Sequence, residues 1–310
     1  MRIVFAGTPA PAVASLEALV ASGHDVVGVV TRRDAPIGRK RIMTPSPVAA
    51  AAEAHGIRVI KADRLDADAT ASVAALAPDL GVIVAYGGLV REPLLSVPGH
   101  GWINLHFSLL PRWRGAAPVQ HALIAGDRTT GAAVFRLVPA LDAGDVFGEI
   151  RYDIPEDATA GDVLATLADR GARLVTDVVD GIARGTAIAH PQTGEPTLAP
   201  KLTIADGLLD LRATAQEVLD RFRGTTPEPG AHVMLGGQHL KVLAAHRGPD
   251  ADLTAGLIRL VGTDVVAGTG AGTITLDRVQ PAGRSAMRAA DWWRGLRIDE
   301  LQVDAPGERS

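Results

Sequence analysis

MRIVFAGTPAPAVASLEALVASGHDVVGVV, residues 1–30, decides the fold class before any other part of the chain is read. Arg2–Ala6 is a short apolar run that ends on Gly7-Thr8-Pro9. Ala12–Ala21 has helical spacing, and Asp25–Val30 is a second run rich in valine. Strand, turn, helix and strand in that order open a parallel α/β sheet, because parallel strands need a crossover and a helix supplies it. The same stretch argues against two other readings. The apolar run beginning at Ile3 breaks at Gly7, too soon for the hydrophobic region of a secretory signal. Gly7-Thr8-Pro9-Ala10-Pro11 also lacks the G-x-G-x-x-G spacing that lets backbone approach a pyrophosphate, which disfavours a dinucleotide enzyme.

Reading onward, Arg32–Pro47 is a loop broken by Pro36, Gly38, Pro45 and Pro47. Val48–His55 and Asp68–Leu76 read as helices around a strand at Arg58–Ile60. Leu80–Ala85 is continuously apolar, as the buried middle of a parallel sheet requires. Trp102–Leu105 is a further strand and Ala117–Ile124 a helix. Ala132–Leu137 returns through Val146–Tyr152 in a hairpin-like manner, and the long amphipathic stretch Ala160–Gly181 closes the first domain. Between Thr186 and Asp206, Pro191, Gly194, Pro196 and Pro200 interrupt any period, the pattern of a linker. Beyond it come a helix at Ala213–Arg223, short runs at Val233–Leu235, Leu240–Ala245, Leu257–Val261, Val265–Ala267 and Thr273–Val279, and a helix near Ala289–Arg294. Short strands with regular turn signals predict a small β-barrel or sandwich. The expected division is a domain over 1–189, a linker over 190–206 and a β domain over 207–310.

Composition narrows the function classes. The chain has 310 residues, 47% hydrophobic and 21% charged, with a formal net charge of −4, so a nucleic-acid partner would have to be held by a local basic patch. Absence of cysteine removes disulfides, thiolate zinc sites and thiol nucleophiles, and fits a cytoplasmic location. No stretch reaches the ~18–20 apolar residues of a membrane span. There is no Walker A sequence, and the histidines show no zinc-ligand spacing, so no metal is expected. Asparagine occurs once, at Asn104.

The informative segment is Asn104-Leu105-His106-Phe107-Ser108-Leu109-Leu110-Pro111-Arg112-Trp113-Arg114-Gly115-Ala116-Ala117-Pro118. Asn104 and His106 are two apart at a strand end, so their side chains emerge on one face, where ligands of open α/β sheets bind. An amide beside an imidazole suits acyl chemistry, the first stabilising an oxyanion and the second relaying a proton. By spacing alone the pair is equally a strand end with a turn-satisfying asparagine. Leu141-Asp142-Ala143-Gly144-Asp145 adds two carboxylates around a glycine. One could orient the histidine, and an ordinary Asp-Gly turn accounts for the same residues.

Together these segments resemble the signature of the folate-dependent formyltransferases, and within them the methionyl-tRNA formyltransferase family. The likeness extends through Phe5-Ala6-Gly7-Thr8-Pro9, Pro45-Ser46-Pro47-Val48, Val84-Ala85-Tyr86-Gly87, Ala199-Pro200-Lys201-Leu202 and Gln280-Pro281-Ala282-Gly283, nearly the whole chain in order. It implies a Rossmann-like parallel-sheet formyltransferase domain followed by a small OB-like β-barrel domain that binds tRNA. It implies a catalytic trio at Asn104, His106 and Asp142, with Ser108, Leu109, Leu110 and Pro111 on the loop associated with the folate. The expected reaction moves a formyl group from 10-formyltetrahydrofolate, with no metal, to the amino group of methionyl initiator tRNA for bacterial translation, in a monomeric cytoplasmic enzyme. The sequence departs from the family pattern at Phe107, where glycine commonly follows the histidine. It departs also at Lys40, at Leu208-Leu209-Asp210-Leu211 and at His232.

The basic cluster Arg32, Arg33, Arg39, Lys40 and Arg41 lies in the Pro/Gly-punctuated loop. A solvated loop without a partner reads the same way, but the resemblance points to tRNA, with Arg39, Lys40 and Arg41 as contacts. Asp142 is expected to hold His106 and favour its cation. Glycinamide ribonucleotide and sugar-nucleotide formyltransferases have a similar trio; the basic loop, the linker and the trailing β domain favour tRNA over their small acceptors.

Overall fold

The computed structural model describes residues 1–38 and 41–304. The chain divides into two compact units: residues 1–118 with 129–153 and 164–199, and residues 119–128 with 154–163 and those from Pro200 onward.

The first unit opens as β1 (Arg2–Gly7), α1 (Ala10–Val20) and β2 (Asp25–Thr31). Proline in the first turn of α1 gives up an N–H that has no partner there, and Ala12, Ser15, Leu16 and Leu19 are buried. The segment expected as a loop contains a short antiparallel hairpin, β3 (Ala35–Ile37) with β4 (Ile42–Thr44). Next come α2 (Pro47–Ala54), β5 (Val59–Lys61), α3 (Ala67–Ala74), β6 (Leu80–Val84), β7 (Trp102–His106) and β8 (Arg114–Gly115). After α4 (Pro118–Ile124), β9 (Thr129–Arg136) and β10 (Val146–Asp153) return antiparallel, and α5 (Ala160–Ala183) follows. The sheet order is β10-β9-β7-β6-β1-β2-β5. Its five strands from β7 to β5 are parallel, and β9 and β10 add an antiparallel edge.

Every residue of β6 is buried, which places it and its neighbours β1 and β7 in the middle of the layered core. A Cβ on Gly81 would lie 2.2 Å from the Trp102 ring, so glycine there makes room for the indole, whose Nε1–H donates to the Leu94 carbonyl at 2.9 Å. On the other side of β7, Gly171 of α5 comes so near Leu105 that a Cβ would stand 2.8 Å from Cδ2. Strand alternation therefore puts Asn104 and His106 on the face away from α5.

Residues 190–199, expected as the head of a linker, are bound along the first unit. Val146 and His190 exchange backbone hydrogen bonds, and β11 (Leu198–Ala199) pairs in parallel with β8.

The second unit holds α4 beyond Pro118 and α6 (Ala215–Gly224), opened by a Thr214–Glu217 capping box. Gly224 approaches Ile124 closely, a Cβ there lying 2.6 Å from Cγ1. The sheet comprises β12 (His232–Leu235), β13 (Gln238–Arg247), β14 (Leu257–Val261), β15 (Asp264–Gly268), β16 (Thr273–Pro281), β17 (Met287–Arg288) and β18 (Glu300–Gln302), with α7 (Ala289–Leu296) before the last strand. All pairings are antiparallel, in the order β12-β13-β16-β15-β14-β18, with β17 on β16. Register shifts in β13 bend the sheet, and just past β18 the Asp304 N–H donates to the Met234 carbonyl of β12 at 2.9 Å. The sheet is thereby curled into an OB-like barrel around Leu209, Val218, Phe222, Ile258, Val279, Trp292 and Trp293. Among the described residues no helix is long and apolar enough to cross a membrane.

Candidate active site

Asn104 and His106 occupy the C-terminal half of β7, between β6 and β9, with Asn104 opposite Ile83 and Phe135, and His106 opposite Ala133. Asp142 lies in the connection between β9 and β10. That connection is tight: a Cβ on Gly144 would stand 1.7 Å from the Arg136 carbonyl oxygen, and the Arg136 N–H donates to the Asp145 carbonyl at 2.9 Å. The three side chains thus come from one strand, β7, and from the loop that joins β9 to β10.

His106 is buried, and its ring meets Phe135 edge-on with centroids 6.3 Å apart. Its Nε2 lies 2.8 Å from the Trp113 carbonyl. A carbonyl only accepts, so Nε2 carries the hydrogen, and in the neutral ring Nδ1 keeps its lone pair. Nδ1 faces Asp142 Oδ2 at 3.9 Å, too long for a hydrogen bond and within ion-pair reach once the ring is protonated. Burial pushes the imidazole below its ordinary value of 6.5, against the opposing pull of Asp142 and the Trp113 carbonyl. Asp142 does pull toward the cation, as expected, but desolvation outweighs the carboxylate, so the ring is held toward its neutral form.

Asp142 Oδ2 accepts the Gly115 N–H at 2.8 Å. Its backbone is left-handed, with φ +46°, as are those of Trp113 at +60° and Gly115 at +126°. Left-handed non-glycine residues at a site indicate backbone that the surroundings hold in place, at about 1–3 kcal/mol each.

Asn104 and Asp142 share the wall of a cavity of about 360 Å³. The remainder is largely apolar, including Ile83, Leu89, Val90, Leu137, Pro139 and Leu141. Asn104 Oδ1 is buried and finds no hydrogen-bond partner among the described residues. The walls at 88–92 and 137–141 escape sequence reasoning because loops carry no hydrophobic period. Their one visible sign is apolar residues left in the open, Leu89 at 64% and Leu141 at 52% exposure.

The Ser108–Pro111 loop borders the site with its side chains turned to internal work. Ser108 is fully buried and donates to the Arg112 carbonyl at 2.6 Å. Leu109 packs on Gly131, and Leu110 joins Ala133 and Phe135 in a small core cluster. Phe107 is buried and does not line the cavity. Of the basic cluster, Arg32 is committed inward, donating to the Gly87 carbonyl and stacking 5.7 Å from the Tyr86 ring centroid. Arg41 is exposed in the β3–β4 hairpin, whereas Arg39 and Lys40 lie outside the described residues.

Comparison with known proteins gives consistent matches. The family model described as "Formyl transferase" matches residues 1–179, and "Formyl transferase, C-terminal domain" matches residues 201–297. The chain is 61% identical to the methionyl-tRNA formyltransferase of Leifsonia xyli subsp. xyli over 295 residues, covering 95% of this chain and 97% of that one. It is 58% identical to that of Clavibacter sepedonicus over 302 residues, covering 97% and 99%. The fold is similar to an N-formyltransferase from Helicobacter canadensis, solved with folinic acid and dTDP-3-aminofucose. There the TM-score is 0.64 at 15% identity, with 90% of this chain and 98% of that one covered.

Proposed function

This chain belongs to the methionyl-tRNA formyltransferase family, and from that premise we propose how its own residues carry formyl transfer to the amino group of methionine on tRNA. It is an enzyme of the one-carbon group transferases, acting on methionyl-tRNA at the start of translation. Its family depends on folate, and the donor we assign is 10-formyltetrahydrofolate. The acceptor is the initiator tRNA, and the place of work is the cytoplasm.

The observation that carries the assignment is the unpartnered, buried oxygen of Asn104 on a cavity wall shared with Asp142. An unsatisfied buried polar atom costs about 1–3 kcal/mol and persists where a ligand completes it. The cavity, near 360 Å³ with mainly apolar walls, supports a flat ring system of the folate type, since ligand pockets start at about 300 Å³. Ser108, Leu109, Leu110 and Pro111 act as frame rather than as side-chain contacts, because those side chains are already used within the protein.

Transfer forms a bond between the methionine nitrogen and the formyl carbon, and breaks the bond from that carbon to the donor nitrogen. The amine loses a proton and the leaving nitrogen gains one. Asn104 presents the Nδ2–H of its carboxamide to the formyl oxygen as charge gathers there, worth about 10²–10³ in rate. His106 offers Nδ1, its unprotonated nitrogen, to receive and return the proton, typically worth about 10²–10⁴. Asp142 then stands 3.9 Å from the imidazolium and stabilises it during the step that burial disfavours.

Arg39, Lys40 and Arg41 are assigned to the acceptor stem, supported by the exposure of Arg41 in the β3–β4 hairpin. The domain over 207–310 is assigned to the tRNA body, after a catalytic domain over 1–189 and a connection over 190–206. The test is formylation of methionyl initiator tRNA with 10-formyltetrahydrofolate. Rapid transfer, with methionyl elongator tRNA at least tenfold slower as specific sites of this kind discriminate, supports the assignment. No transfer to either tRNA overturns it.

A further inference from the structure

The segment between α5 and β11 makes contacts that its composition does not suggest. Gln192 Nε2 donates to two carbonyls, those of Asp142 and Gly144, at 2.8 Å each. Gln192 Oε1 accepts from Arg114 through Nη2 at 2.6 Å and Nε at 3.2 Å. Five residues on, Thr197 Oγ1 accepts the Trp113 N–H at 2.9 Å, and the Thr197 carbonyl accepts the Arg114 N–H at 2.8 Å. Trp113 in turn supplies the carbonyl that fixes His106, and Gly115 supplies the N–H that holds the Asp142 carboxylate.

These bonds close a ring. It runs from His106 to Trp113, through Thr197 and Arg114 to Gln192, and from Gln192 to Asp142, whose carboxylate faces His106 again. His106 ends a strand and Asp142 sits in a loop, and the bonds from residues 192–197 reach the backbone beside each of them rather than either side chain. We propose that Gln192 and Thr197 are positioning residues for the transfer: one strap, residues 192–197, holds the Asp142 loop with its first side chain and the His106 carbonyl anchor with its last. The inference rests on the assignment of His106 and Asp142 to the reaction.

The physical need for the strap is local. Asp142 and Trp113 both sit in left-handed backbone, which a free loop of non-glycine residues abandons. A primary amide is suited to Gln192, because it donates two N–H bonds to the carbonyls on one side and accepts the guanidinium on the other. Glutamate keeps the Arg114 partner and loses both donors, so Gln192→Glu separates the two functions. Thr197→Val keeps shape and leaves the Trp113 N–H without its acceptor.

The experiment compares steady-state formylation by wild type, Gln192→Ala, Gln192→Glu, Thr197→Val, Asp142→Asn and the double variant Asp142→Asn/Gln192→Glu. Glu195→Gln, an exposed change in the same segment, is the control. The strap predicts a kcat lower by about tenfold to a hundredfold in Gln192→Glu and Thr197→Val, as a misplacement near 1 Å produces, with each KM within about twofold. It predicts that Gln192→Glu adds no further loss once Asp142 is asparagine, and that Glu195→Gln turns over normally. Wild-type kcat in Gln192→Glu and Thr197→Val beside a slow Asp142→Asn overturns the strap and leaves the catalytic assignment standing. Wild-type kcat in Asp142→Asn overturns the assignment, and the strap with it. Losses that multiply in the double variant also overturn the strap, since Gln192 would then act independently of Asp142. Should Gln192→Ala fail to fold, Gln192→Glu and Thr197→Val retain the test.

Discussion

Replacing Asn104 by alanine separates stability from turnover in a way that few active-site changes do. The side chain leaves a buried oxygen without a partner, so truncation removes an unsatisfied group instead of breaking a bond, relieving about 1–3 kcal/mol. A few buried atoms are lost with it, but the space joins a cavity already present, so no new sealed void forms. The two effects oppose one another, and the net change falls between zero and a small stabilisation. At about 2–4 °C per kcal/mol, the unfolding midpoint stays level or rises by a few degrees. Turnover moves the other way. Loss of a donor to the developing oxyanion lowers kcat by about 10²–10³, or roughly 2.7–4 kcal/mol of barrier. Calorimetry beside formylation at saturating methionyl-tRNA and donor reads both. A kcat within tenfold of wild type would refute the oxyanion role. A midpoint lowered by more than about 5 °C would show the carboxamide to be a structural strut.

Three further outcomes follow from the same geometry. Because burial holds the His106 imidazole below 6.5, the unfolded chain binds a proton there that the folded chain refuses, so stability is full above that value and falls as pH drops through the folded one. Urea titrations from pH 7.5 to 5 will show a shallower loss in His106→Gln than in wild type, and identical slopes would contradict it. Gly144→Ala drives a Cβ into the Arg136 carbonyl and displaces the Asp142 loop; kcat falls at least tenfold and the unfolding midpoint drops, while a fully active variant would mean the loop position is immaterial. Arg39→Ala and Arg41→Ala raise KM for tRNA and flatten its salt dependence with donor affinity unchanged, as calorimetric folate titration will report; an equal loss toward both substrates would point to misfolding.

The sequence disclosed the middle of the first sheet because its central strands are buried on both faces and so read as apolar runs, Leu80–Val84 above all. Asn104 and His106 were legible for a related reason, since strand alternation alone puts residues two apart on one face. The β3–β4 hairpin was read as loop, because strands of three residues beside Pro36 and Gly38 carry no period. Gln192 and Thr197 were missed on different grounds. Their partners lie 48 to 84 residues away and, the Arg114 guanidinium apart, are backbone groups, which every residue possesses and none advertises. The sense of the His106 shift was also beyond a linear reading, for an aspartate in the sequence is visible and the depth at which the imidazole is buried is not.

Since Asn104 is the chain's single asparagine, labelling with ¹⁵N-asparagine yields one side-chain amide pair in the NMR spectrum, a direct reporter of the proposed contact. Titration with 5-formyltetrahydrofolate, a stable analogue of the donor, is predicted to shift that pair with the same saturation curve that calorimetry gives for binding. An amide pair that stays in place while the ligand saturates the protein would contradict the claim that this carboxamide meets the one-carbon donor.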